Sequence, residues 1–133
     1  MSKIARWLRL GVVVPGAMFL WSCVAPIISV PPPASVTFIP STISDSSTGA
    51  QRTVWTTRGG PIDQAANAMF FVINKRLGSG VIATAQNDGS FVAPQMDGNQ
   101  DDEILIYYRM PGGDYSDSTC LLLEEGTSPP FCR

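Results

Sequence analysis

Two stretches decide the fold: Met69-Phe70-Phe71-Val72-Ile73 and Ile104-Leu105-Ile106-Tyr107-Tyr108. Each is short, uninterrupted in its apolar character and rich in β-branched or aromatic residues. Periodicity alone would also allow a buried helical turn, but length and residue type argue for strands in the middle of a sheet. Around them the pattern continues as short apolar or alternating runs separated by Gly, Pro, Asn and Asp. It predicts strands over Arg52–Thr57, Asn67–Asn74, Gly80–Gln86, Ser90–Ala93, Glu103–Met110 and Ser118–Glu124. Only the segment from Ile62 to Ala68 has mild helical character. The expected fold is all-β, a small antiparallel sandwich of about six to seven strands covering 51–133.

Upstream the composition changes twice. Residues 1–22 hold Lys3, Arg6 and Arg9 with no acid, followed by an uncharged apolar stretch from Leu10 to Trp21. A basic start and an apolar core of that length read as an export signal, the expected N-terminal helix, and fall short of the roughly 20 residues that span a bilayer. Residues 23–50 read as a tether. Pro26, Pro31, Pro32, Pro33 and Pro40 stiffen its first half, and Ser41 to Ala50 is Ser-, Thr- and Gly-rich and flexible. Ser35 to Ile39 could form a strand, at best at a sheet edge because of the flanking prolines.

Charge excludes some functions. From Cys23 onward six basic residues face eleven acidic ones, a net charge of −5. Such a chain offers little to nucleic acid or to an anionic lipid surface. There is no histidine, which removes Ser-His-Asp and Cys-His enzymes and His-ligated zinc. Carboxylate-only or Tyr/Lys chemistry is what remains; a pair such as Asp88 and Asp102 would be one form of it, but no spacing places the two together, so the expected protein is not an enzyme and carries no cofactor.

The segment Leu20-Trp21-Ser22-Cys23 resembles the bacterial lipobox, with Trp21 standing where that pattern usually has a smaller residue. The resemblance implies cleavage after Ser22 and a diacylglyceryl group on Cys23. Two or three acyl chains hold a soluble domain stably at a membrane. An uncleaved signal anchor running on through Val30 is the competing reading, opposed by Pro26 and the triple proline. Val24 is not the aspartate that holds enterobacterial lipoproteins at the inner membrane, so the resemblance points to the outer membrane. With Cys23 assigned to lipid, Cys120 and Cys132 form an even remainder. In an exported protein these most simply make one disulfide tying the tail from Gly126 to Arg133 to the domain, with free thiols or intermolecular pairing as alternatives.

A second resemblance covers roughly 67–125. The run Phe71-Val72-Ile73-Asn74, then Ala83-Thr84-Ala85 leading into Asp88-Gly89-Ser90-Phe91, then Asp102-Glu103-Ile104-Leu105-Ile106, is similar to bacterial Ig-like and carboxypeptidase-regulatory-like β-sandwich modules. It implies a hairpin turn at Asn87-Asp88-Gly89-Ser90 and a fold used for spacers, adhesin segments and interaction domains alike.

Candidate site residues are few. Asp97, Asn99 and Asp101 repeat the alternating oxygen spacing of a calcium loop. Position 108 is Tyr108 rather than the closing Glu, so the segment from Asp97 to Glu103 reads first as a solvated acidic turn. The loop Asp114-Tyr115-Ser116-Asp117-Ser118 follows the reversal Pro111-Gly112-Gly113 and is a second binding candidate, with Tyr115 alternatively capping the core. Trp55, Tyr107 and Tyr108 read as core or edge packing. The function expected from these readings is a non-catalytic, lipid-anchored envelope lipoprotein with an envelope protein partner. The alternative is a calcium- or carbohydrate-binding surface module.

Overall fold

A computed structural model of the chain describes Pro33 and residues 35–133. The expected export signal, the lipidation candidate Cys23 and the first part of the expected tether lie outside the described residues.

The described chain is all-β apart from one 3-10 turn, Asp63–Ala65. Its strands are β1 (Val36–Ser44), β2 (Gln51–Gly59), β3 (Met69–Asn74), β4 (Ser79–Thr84), β5 (Phe91–Val92), β6 (Met96–Asp97), β7 (Glu103–Arg109), β8 (Thr119–Leu122) and β9 (Gly126–Thr127). They form two antiparallel sheets. The first runs β5-β2-β1-β9, with β6 also on β2, and the second runs β4-β3-β7-β8. The chain crosses between them after β2, β4, β6 and β8, which is consistent with a β-sandwich. The six strands expected from the sequence are all present, with ends shifted by a few residues. The additional ones are β1 and the two-residue β6 and β9.

The two deciding stretches are β3 and β7, hydrogen-bonded to each other at the centre of the second sheet. Alternation sends Phe70, Val72, Ile104, Ile106 and Tyr108 into the core. Phe38 of β1, Trp55 of β2 and Phe91 of β5 meet them from the first sheet. Phe70 stacks on Phe91 with ring centroids 3.9 Å apart and lies 4.9 Å from Tyr108, tying the sheets together at one end. The alternate residues Phe71, Ile73, Leu105 and Tyr107 stand half-buried on the outer face. The apolar runs are therefore continuous without being covered on both sides.

β1 corrects the domain boundary. The sandwich begins at Val36 rather than at 51, and β1 is paired with β2 over nine residues, from Val36 opposite Gly59 to Ser44 opposite Gln51. It is also flanked by β9, so it is not simply an edge strand. Pro40 sits inside it for a geometric reason. Val36 O accepts the Ser128 N–H on the β9 side, and backbone groups alternate along a strand. Pro40, four residues on, therefore turns its missing donor toward that open side, and the ladder with β2 loses nothing. The flexible stretch expected from Ser41 to Ala50 shrinks to the turn between Asp45 and Ala50, closed by Gly49 N–H to Asp45 O and Asp45 N–H to Ala50 O, both 2.8 Å.

The turn at Asn87-Asp88-Gly89-Ser90 exists but does not make a hairpin. Gln86 N–H donates to Ser90 O at 2.8 Å and Gly89 N–H to Gln86 O at 3.0 Å. The arms then part, β4 to the second sheet and β5 to the first. Burial of Phe91 between the sheets directs the exit. Gly89 has φ +79° and faces the backbone of Ile62, whose carbonyl carbon would lie 2.7 Å from any Cβ. A Gly89→Ala variant accordingly combines a strained φ with a backbone collision. Thermal or denaturant unfolding is expected to show a loss of at least about 2 kcal/mol; an unchanged midpoint would contradict the packing described.

Candidate functional site

The acidic turn between β6 and β7 is the most heavily bonded polar feature of the described chain. Asp102 is only 7% exposed, and a buried carboxylate needs donors. It has four. Arg76 gives Nε to Oδ1 at 2.6 Å and an Nη to Oδ2 at 2.9 Å, Asn74 gives Nδ2 to Oδ2 at 2.7 Å, and the Asn99 N–H reaches Oδ2 at 2.9 Å. The buried Asn74 closes the β3–β4 turn with its other atom, as Oδ1 accepts the N–H groups of Arg76 and Leu77. Main-chain bonds between Asp101, Asp102 and Leu123 join the end of β8 to the same turn. Trp55 Nε1 donates to Gly98 O at 3.0 Å from the first sheet. At Gly98 a Cβ would lie 2.6 Å from the Leu123 side chain, so the close approach requires glycine.

This corrects the reading of a solvated acidic turn. The calcium-loop candidates separate. Asp97 turns outward and accepts both Oδ contacts from one Arg52 nitrogen, at 3.0 and 3.1 Å. Asn99 contributes its backbone N–H to Asp102, and Asp101 is exposed in a left-handed turn with φ 68°. Asp102, which the calcium spacing skips, is the residue that organises the loop. Among the described residues, one set of three Cys, Asp or Glu ligand atoms converges, Glu103 with Cys120 and Cys132. There the two sulfurs are bonded to each other and Glu103 is paired with Lys75.

A groove of about 500 Å³ opens beside this turn, lined by Pro40, Thr53, Trp55, Gly98, Asn99, Gln100, Glu124 and Glu125. It offers an indole wall, amides, a hydroxyl and two acids, a set able to hold a polyhydroxylated or cationic ligand. The sequence reading missed it because its walls come from β1, β2 and two separate turns. The adjacent pair Glu124-Glu125 was its one local signal.

The other candidates fall elsewhere. Asp88 lies in the turn after β4, accepting the Ser90 N–H and hydroxyl at 2.9 and 2.6 Å, and those bonds hold its carboxyl below the usual range. It has a separate task from Asp102, and the two do not form an acid pair. Tyr115 is 58% exposed rather than capping the core. It lies over the Arg109 guanidinium, 5.8 Å from the ring centroid, and near Tyr107 at 6.2 Å. Ser116 Oγ accepts the Tyr108 N–H at 2.9 Å, holding the loop to β7. Cys120 and Cys132 are joined in a disulfide, with Cα atoms 5.4 Å apart. Cys132 N–H donates to Cys120 O and Leu122 N–H to Pro130 O, so the tail lies along β8. No known protein family, curated protein or solved structure matches this chain.

Arg76, then Asn74 and the Asn99 N–H, hold the Asp102 carboxyl down at about 2, against the opposing effect of burial. The folded-state value lies below the unfolded one, about 3.9. The contribution is therefore complete above the unfolded value and is lost as pH falls through about 2. Its size is at most about 2 kcal/mol, since Arg76 is half-exposed and screened. In Asp102→Asn the slope of stability against pH between about 4 and 2 should flatten, with lower stability at neutral pH. Urea unfolding across that range reads both effects, and an unaltered slope would exclude this role for Asp102.

Proposed function

We propose that this chain is a non-catalytic lipoprotein of a bacterial envelope, held by lipid on Cys23, whose sandwich is an Ig-like protein-interaction module. The observation that carries the interaction reading is the outer face of the second sheet. Phe71 and Tyr107 stack there at 4.9 Å, with Met69, Ile73, Leu105, Tyr115 and Arg109 around them. Aromatic residues, Met and Arg concentrated on one face match the composition of protein interfaces.

The strand order supports the Ig-like reading. Lettered in chain order, β1, β2 and β5/β6 stand as A, B and E, and β4-β3-β7-β8 as C′-C-F-G, the neighbour relations of that sandwich class. The anchor rests on the lipobox-like segment and the charge reversal at Cys23. The chain arrives at Pro33, beside Thr119 and Ser128, and β1 leads away toward the groove.

Cross-linking in native membranes, followed by mass spectrometry of the purified chain, reads both halves of the proposal. A mature N-terminus at acylated Cys23 is expected, together with one stoichiometric envelope protein. Its recovery should fall severalfold in a Met69→Ser, Tyr115→Ser double variant. An intact Met1 or unmodified Cys23 would overturn the anchor, and recovery of the chain alone would overturn the interaction reading.

The groove favours a second reading, a module that binds a carbohydrate or calcium through Trp55, Asn99, Gln100, Glu124 and Glu125. On that reading millimolar calcium or a glycan array yields a melting shift or a retained sugar that Glu124→Gln abolishes. Absence of both responses removes it.

A further inference from the structure

A sandwich has four sheet edges, and an uncovered edge is a template for another strand. Three of the four are managed in this chain. The β8 edge is covered by the tail, through Leu122 N–H to Pro130 O, Cys132 N–H to Cys120 O and the Cys120–Cys132 disulfide. The β1 edge is covered by β9 at Thr37 and Phe38 and then loses a donor at Pro40. The opposite edge of the first sheet is broken into β5 and β6, two residues each, with Pro94 between them.

β4 is different. Ser79-Gly80-Val81-Ile82-Ala83-Thr84 pairs with β3 along its whole length on one side. No described residue hydrogen-bonds to its other side. It has no charge, no proline and six residues of regular ladder, so among the described residues none of the usual protections is present. Ile82 is 54% exposed on the outer face, opposite Phe71.

From this we infer that β4 is a self-association edge, pairing antiparallel with β4 of a second copy of this chain to make one eight-stranded sheet. The strand is suited to its own copy. Antiparallel pairing about a two-fold axis brings the same surface to both partners, and an uncharged strand meets itself without repulsion. A two-fold perpendicular to the sheet keeps every side chain on its face, so the axis passes midway between the two copies of one residue. Centring it on Ile82 sets Ile82 against its counterpart and Gly80 against Thr84. Centring on Val81 would set Ile82 against Gly80 and leave it uncovered. A six-residue pair covers far less than the roughly 800 Å² per partner of a standard interface, so the dimer is weak and concentration-dependent, and two-dimensional confinement at a membrane would favour it. The inference stands on the edge itself and does not require the lipid on Cys23.

Sedimentation equilibrium of the full chain in detergent, over roughly 1 µM to 1 mM, tests it together with cysteine pairing. The expected result is a monomer–dimer equilibrium that Ile82→Lys weakens at least about tenfold, with the monomer still cooperatively folded because that side chain is half-exposed. Directly opposed residues lie about 4.5–5.5 Å apart at Cα, within disulfide reach. Ile82→Cys should therefore oxidise to a dimer much faster than Thr84→Cys, whose copies would be about 14 Å apart. A chain that stays monomeric throughout overturns the inference. So does a dimer indifferent to Ile82→Lys, or equal cross-linking of the two cysteine variants. Any of these results leaves the reading of the Met69–Tyr115 face untouched, since that face is tested by its own variants.

Discussion

A carboxylate taken out of water must be answered by donors, and the turn from Gly98 to Asp102 is arranged around that requirement. Asp102 draws Arg76 and Asn74 from the β3–β4 turn and the Asn99 N–H from its own loop. Its main chain joins Leu123 beyond β8. The Trp55 bond to Gly98 O brings in the first sheet. Three separate parts of the chain converge here, so the crossing from β6 to β7 can take one path. That path sets the register in which Ile104, Ile106 and Tyr108 enter the core.

The opposite end is held by apolar contact. Phe70, Phe91 and Tyr108 form an aromatic group between the sheets, and the 86–90 turn is pressed against Ile62 through Gly89. A sandwich of this size buries a modest core. The polar joint at one end, the aromatic group at the other and the disulfide along β8 therefore carry much of the specification. The parts left unanswered, the outer face of the second sheet and the β4 edge, belong to that one sheet and adjoin each other. The structural surplus of the chain is concentrated on one side.

Much of the core was legible because its signals are local. β3 and β7 announce themselves by apolar runs, and Gly89 by the company of Asn87 and Asp88. The pairing of Asn74 with Asp102 was not legible, since nothing local joins two residues 28 apart in the chain. What was misread depended on partners distant in sequence. β1 looked like tether because Pro40 and the Ser/Thr composition argue against a strand. Only the position of β2 and β9 shows that the missing N–H faces an open side. The apolar runs marked central strands correctly, but sequence carries no record of whether a second layer covers their outer face. The acidic turn looked solvated because five polar residues in a row, Asn99 to Glu103, do not reveal which one turns inward.

The sequence by itself determined the all-β class, the central strands, an even cysteine remainder after Cys23 and the charge reversal there. These follow from alternation, residue type and count, which act over a few residues. Tertiary structure alone decided where the domain begins and which acid is buried. It also decided which residues wall the groove and which sheet edge no described residue covers. Each of these depends on groups more than twenty residues apart, such as Arg76 and Asp102 or Trp55 and Gly98, brought into contact by the sheets and not by any local preference.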